Sequence, residues 1–333
     1  MKKFPKSTVS IAALILCAVP CLSAGTFPPS GRELSLLLAG DVLLDRGVAR
    51  MCATALPSDS LREISQLTKN VDAAFCNLEC AVVTDAPRLP KVFSFAAHPS
   101  LLGILKEAGF GVVSLANNHT LDCGKAGVVE TMEHLRKSRI LFCGAGRTDE
   151  EARTPTVVRL KAKKVGFLAY SDIPEHSVVL IPDRPSIAVL DDDTFSQEIR
   201  KAKASVDILV VSLHWGWEYQ PFPNARQRRL AEEAVEAGAD IVAGHHPHVL
   251  QPLEVIERKG NVAVVSYSLG NFIFDSRRTE THETMLLECN FDATGLVRVR
   301  MHPMRIENCF PRISGAPAAV WERGKMAGAS ALR

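Results

Sequence analysis

The sequence predicts an α/β fold, and two observations carry that reading. Short apolar runs alternate along the chain with longer stretches whose apolar residues recur at helical spacing. The runs are almost unbroken in Val, Ile, Leu and Ala instead of alternating with polar residues, as expected of strands covered on both faces.

Taken in order, strands are expected at Leu34 to Ala39, Ala73 to Cys76, Phe110 to Leu115, Val165 to Tyr170, Asp207 to Leu213, Asp240 to Ala243 and Asn261 to Tyr267. Between them, Leu101, Leu102, Leu105 and Ala108 mark a helix that Pro99 can open, because proline suits a first turn. Val128, Val129, Met132 and Leu135 mark the apolar face of another. A third begins at Asn224 as N-cap, with Gln227 in capping-box position, and ends at Gly238. Residues 174–195, rich in Pro and Asp, read as a long loop, and Glu283 to Ile306 read as antiparallel strands. The globular domain is therefore expected over 34–310, with 311–333 a loose tail.

The first 24 residues have the shape of a secretory signal peptide: Lys2, Lys3 and Lys6, an apolar stretch from Ser10 to Pro20, then Leu22-Ser23-Ala24 before Gly25. An uncleaved N-terminal anchor is the other reading of the same segment. Either way the chain is expected to be exported: periplasmic, secreted or held at a membrane. Residues 25–33 read as a Pro/Gly/Ser linker. The net charge of +2, with no basic stripe, argues against a dedicated nucleic-acid binder. Of nine cysteines, Cys17 and Cys21 fall in the leader. The odd remainder shows no zinc-ribbon spacing and reads as buried apolar filler or one incidental pair.

Polar clusters able to bind metal recur just after the apolar runs. Asp41 follows Leu36-Leu37-Leu38, and Asn77-Leu78-Glu79 follows Ala74-Phe75-Cys76. Asn117-Asn118-His119 follows Val112-Val113-Ser114-Leu115. His214 follows Ile208 to Val211, and His245-His246-Pro247-His248 follows Ile241-Val242. Open α/β sheets gather ligands at the carboxyl ends of their strands, so these loops are expected to converge. A mixture of imidazole nitrogen and carboxylate oxygen suits Mn, Zn or Fe(II); calcium prefers an all-oxygen shell. One or two such ions can activate water and neutralise charge on a substrate.

Other residues near these loops keep two readings. Trp215, Trp217 and Tyr219 alternate, as aromatics packed on one face of a strand end or as a rim for substrate stacking. Arg46 is a bidentate clamp for phosphate or carboxylate, or a solvated side chain. Glu218 orients a ligand histidine or contacts substrate, and Asn271 donates to an anion or ends a strand. Asp122 steadies His119 or caps the helix that follows. Asn77, Asn117 and His245 complete the expected substrate-facing set.

The segments Gly40-Asp41-Val42-Leu43-Leu44-Asp45-Arg46, Asn77-Leu78-Glu79, Ala116 to Gly124, His214 to Tyr219, Gly238 to Val249 and Tyr267 to Asp275 resemble, in order, the motifs of the CapA family of poly-γ-glutamate capsule biosynthesis proteins, a branch of the calcineurin-like metallophosphatases. The resemblance implies a four-layer α/β/β/α sandwich with mixed sheets and a metal site at the sheet edge. It implies metal ligation by Asp41, Glu79, Asn118, His214, His246 and His248, with His119 assisting the chemistry. The chain departs from the superfamily pattern at its first motif, where Asp-x-His is replaced by Asp41-Val42-Leu43, leaving one ligand to Asp45, His245 or water. Glu79 stands where an Asp usually bridges, and Ala96 where the family often has Arg. Two functions fit: a metal-dependent hydrolase of a phosphoester or anionic envelope polymer, or a non-catalytic polymer-binding partner of membrane synthase subunits.

Overall fold

Leu34, Leu36 and Leu38 turn to one side of the first strand and Leu37 and Ala39 to the other, and this alternation sorts the core into layers. The structure, a computed structural model, describes residues 33–54, 58–173, 185–258 and 261–324. The expected leader, nearly all of the linker and part of the 174–195 loop lie outside the described residues.

The larger sheet runs, by strand, Phe310–Ile313, Gly295–Glu307, Glu283–Asp292, Leu34–Val42, Ala73–Leu78, Val112–Ser114, Leu141–Cys143. Asn271–Ile273 also pairs with Leu34–Val42. The smaller sheet runs Leu253–Arg258, Asn261–Ser266, Ile241–His245, Ile208–His214, Lys163–Ser171, Thr156–Leu160. The smaller sheet has a parallel centre and antiparallel edges, while the larger one is parallel from Leu34–Val42 out to Leu141–Cys143 and antiparallel on its other side, so the mixed α/β architecture expected from the sequence is what is found.

Leu36, Leu38 and Phe75 of the larger sheet share one buried cluster with Phe167, Val210 and Ala243 of the smaller sheet. Phe75 and Phe167 stack across it at 5.6 Å between ring centroids. Leu37 and Ala39 instead pack with Ile64, Leu105 and Met132 from helices Ser58–Thr68, Leu102–Glu107 and Gly124–Lys137. Leu209, Val211 and Val242 pack with Ile199, Leu230 and Ala234 from helices Phe195–Lys203 and Ala225–Ala237. Each sheet thus shares one buried cluster with the other sheet and a second with its own helices. All the described cysteines are free thiols, most of them buried in these clusters.

The Ala225–Ala237 helix starts and stops as its sequence reads. The Asn224 Oδ1 accepts from Gln227 N at 2.9 Å, and Gln227 Oε1 accepts from Asn224 N at 3.0 Å. Gly238 closes it with φ 114°. Asn224→Ala is expected to lower stability by about 1 kcal/mol. This would be read as a lower urea midpoint at unchanged slope.

Two expectations need correction. The sheet continues past residue 310, since Phe310–Ile313 and Ala318–Glu322 both pair with Gly295–Glu307, and Val320 is buried. Over 311–324 the tail reading overlooked the short apolar run Ala318 to Trp321, which packs on the cluster between the sheets; residues 325–333 lie outside the described residues. Within 185–195, Ser186–Ile187 pairs with Ala145–Gly146 as a short ladder rather than lying in open loop.

Candidate metal centre

Parallel pairing aligns the carboxyl ends of the central strands, and both sheets deliver their polar residues to the same edge. Asp41 lies opposite Asn77 on one side and Asn271 on the other. In the second sheet His214 lies opposite His245. Two glycines let the backbones close up here: a Cβ on Gly40 would stand 1.9 Å from the Gly270 carbonyl oxygen, and one on Gly244 2.0 Å from that of Tyr267.

The side chains form a closed circuit. Asn77 Nδ2 donates to Asp41 Oδ1 at 2.9 Å and lies 3.4 Å from His214 Nδ1. His214 Nε2 meets Asn118 Oδ1 at 2.8 Å, and Asn118 Nδ2 is 3.3 Å from His119 Nε2. His119 Nε2 is 3.9 Å from Glu79 Oε1, and His248 Nε2 is 3.8 Å from the same oxygen. His248 Nδ1 meets Asn271 Oδ1 at 2.8 Å and lies 3.6 Å from Asp41 Oδ2, which also accepts from His246 N at 3.2 Å. Every expected metal-ligating residue is therefore in one place.

The expected substrate-facing residues divide. Asn117 is structural: its Nδ2 donates to Asn77 Oδ1 at 3.0 Å, and its Oδ1 accepts from His119 N at 3.0 Å. His245 is fully buried with Nδ1 3.1 Å from Asp41 Oδ1, behind the site and away from any substrate. Trp215 is no rim: it is fully buried, its Nε1 donates to Tyr267 O at 2.8 Å, and its ring stacks on Tyr267. Arg46 is no open clamp either, because its guanidinium is ion-paired with Asp275 and lies 4.6 Å over the Phe95 ring. Tyr219 and Glu218 do line the cleft.

Asp122 steadies His119 and caps nothing. Its Oδ2 is 2.8 Å from His119 Nδ1, and it also accepts from Phe95 N and pairs with Lys91. The N-cap of the next helix is Cys123, without a side-chain bond. Phe95 stacks on the His119 ring at 4.1 Å. Sequence reasoning missed Lys91 and Phe95. Phe95 stands 27 positions from Asp122, and Lys91 is further still, beyond any local periodicity. Asp45, one expected substitute for the missing first-motif ligand, is occupied by Arg88 at 2.7 Å and by Ala96 N at 3.0 Å.

The electrostatics suit a cation. Burial first, then the charge of Asp41, pushes Glu79 well above the usual carboxylate range. Burial opposes ionisation of Asp41 as well, but the adjoining His245, His214 and His248 hold it below its ordinary value. Burial and the neighbouring His248 push His246 down to about 3, and burial with His246 pushes His214 well below its ordinary value. These imidazoles are neutral, the form that binds metal. Both Glu79 oxygens, His246 Nδ1 and Asn271 Nδ2 are buried without a hydrogen-bond partner. Orphaned donors and acceptors are rare in folded proteins, and Glu79 and His246 each lie in a trio of potential ligands completed by His248. His246 and His248 both have positive φ, 92° and 59°, a strained turn that aims two rings inward.

A cleft of about 660 Å³ opens onto this centre. Arg46, Arg50, Lys91, Arg277 and Arg278 stand on its walls against Glu218 and Asp275.

The sequence profile of the family described as bacterial capsule synthesis protein PGA_cap matches residues 35–276. The capsule biosynthesis protein CapA of Bacillus anthracis is 30% identical over 288 residues, covering 84% of this chain and 69% of the relative. The PGA biosynthesis protein CapA of Bacillus subtilis (strain 168) is 30% identical over 281 residues, covering 84% and 73%. Among solved structures, a 5'-nucleotidase precursor from Thermus thermophilus superposes with a TM-score of 0.49 at 14% identity, over 84% of this chain and 56% of that one.

Proposed function

The chain belongs to the bacterial capsule synthesis protein family PGA_cap, and from that premise we propose that it is a metal-dependent hydrolase of an anionic substrate, a phosphoester or a polyanionic envelope polymer. One observation carries the proposal: Glu79 is sealed from solvent, with both carboxylate oxygens unpartnered, between His119 and His248. A buried polar group left without a partner costs about 1–3 kcal/mol, and a cation that displaces the Glu79 proton would satisfy both oxygens. Asp41, Glu79, Asn118, His214, His246 and His248 are the residues that would hold one or two ions of Mn, Zn or Fe. Such an ion supplies the Lewis acidity that polarises a phosphoryl oxygen and eases ionisation of water.

The chain's own groups do the rest. Asp122 at 2.8 Å fixes the proton of neutral His119 on Nδ1, so Nε2 faces the centre and can take up or deliver a proton. Phe95 stops the ring from turning away. The cations on the cleft walls raise the local concentration of an anionic substrate. The proposal extends to the compartment: residues 1–24 export the chain, which works at the envelope beside membrane synthase subunits.

Metal content of the purified protein, with turnover of p-nitrophenyl phosphate and bis-p-nitrophenyl phosphate, tests the reading. Bound metal and turnover that chelation removes and Mn or Zn restores are expected. Protein that holds no metal, turns over neither substrate and still binds poly-γ-glutamate in chelator would establish the second function, a polymer-binding module.

A further inference from the structure

The loop Trp215–Tyr219 is stitched beside the metal centre at both ends. Trp215 is buried and bonded through Nε1 to Tyr267 O. At the other end Tyr219 N donates to Pro247 O at 2.8 Å, and Pro247 is the residue between His246 and His248. Gly216 has φ 85° and so little room that a Cβ there would stand 2.6 Å from the Gln227 amide. These restraints leave Glu218 beside the histidine turn. One carboxylate oxygen of Glu218 and one ring nitrogen each of His246 and His248 lie within 4.8 Å of one another.

We propose that Glu218 is itself a metal ligand, closing the solvent side of the centre with His246 and His248. This rests on the metal reading above and goes beyond it, because Glu218 then binds the ion and not the substrate. The trio Asp41, Glu79 and His248 forms the buried side by the same criterion, and His248 belongs to both. His246 brings a buried Nδ1 that no protein group satisfies. Ligands held at ~2.1 Å from one ion stand at most about 4.2 Å apart. A small rotation of an exposed carboxylate covers that difference. A set of imidazoles and a carboxylate suits Zn or Mn and leaves a position open to solvent.

The test compares wild type, Glu218→Gln, Glu218→Asp and the loop control Trp217→Ala, each stripped of metal. Zn²⁺ titration calorimetry and the visible absorption of the Co²⁺-loaded protein are read, with the metal-free melting temperature. Glu218→Gln is expected to weaken Zn²⁺ binding at least 10-fold and shift the Co²⁺ bands, with the metal-free melt unchanged, and Glu218→Asp to recover part of the affinity. Wild-type affinity and bands in Glu218→Gln overturn the proposal while leaving the metal centre intact. A lowered metal-free melt shared by Glu218→Gln and Trp217→Ala overturns it too, in favour of loop distortion. A wild type that binds no Zn²⁺, Mn²⁺ or Co²⁺ overturns the metal reading itself and this inference with it.

Discussion

Glu79→Gln is expected to stabilise the metal-free protein and, in the same stroke, to strip it of metal affinity. Burial holds the Glu79 proton well above the ordinary value of 4.5. The native state therefore keeps a proton that the unfolded chain has released. Stability of the metal-free protein falls as pH rises from 4.5 towards that raised value. Glutamine never has to ionise. At pH 8 in chelator the variant should be more stable, by about 1.4 kcal/mol for each pH unit over which the folded protein holds the proton and the unfolded chain does not. At pH 4, where both states hold the proton, the difference should vanish. Metal affinity should fall on the order of 10²–10³-fold, the factor implied by removing one partner of a buried charge pair. Denaturation curves at the two pH values and calorimetric metal titration give both readouts. A variant less stable than wild type at pH 8 would mean that the protein, and not an ion, satisfies this carboxylate.

His119→Ala should separate chemistry from metal binding. Loss of a positioned acid or base lowers kcat by roughly 10²–10⁴. Metal content should stay at the wild-type level, because the His119 Nδ1 is already engaged by Asp122 and its Nε2 stands 3.9 Å from Glu79. The loss should be larger for an alkyl phosphoester than for a p-nitrophenyl one, since a good leaving group needs less help from a proton donor. A parallel loss of metal would make His119 a ligand. An equal loss for both leaving groups would place its role before bond cleavage.

The strands that carry the centre are legible in the sequence because they are buried on both faces, so their apolar runs from Leu34, Ile208 and Ile241 go almost uninterrupted. The polar residues that follow are legible for the same reason, standing where such runs stop. Ala318–Glu322 is harder to read because its apolar run is only Ala318 to Trp321, short beside small and polar neighbours, and its place at the sheet edge is set by pairing with Gly295–Glu307. Trp215 shows the limit of alternation as a signal: its period-two spacing fits a rim as well as a core, and its bond to Tyr267 O, 52 positions away, decides for the core. Arg46 and Asp275, 229 positions apart, could not be paired by any local rule. Glu218 read as an accessory because its exposure, and not its sequence, sets it apart from the buried ligands.

The strand bearing Asp41 is hemmed in by segments from the far end of the polypeptide, Asn271–Ile273 and Glu283–Asp292. A nascent chain that has emerged only as far as the histidine turn has no finished cradle, and contacts spanning such distances close slowly. On the metal reading, loading waits for folding to finish. The identity of the ion is then decided by the supply of metals wherever the last strands dock, and a polypeptide threaded through a translocation pore in unfolded form would arrive empty and be filled on the far side.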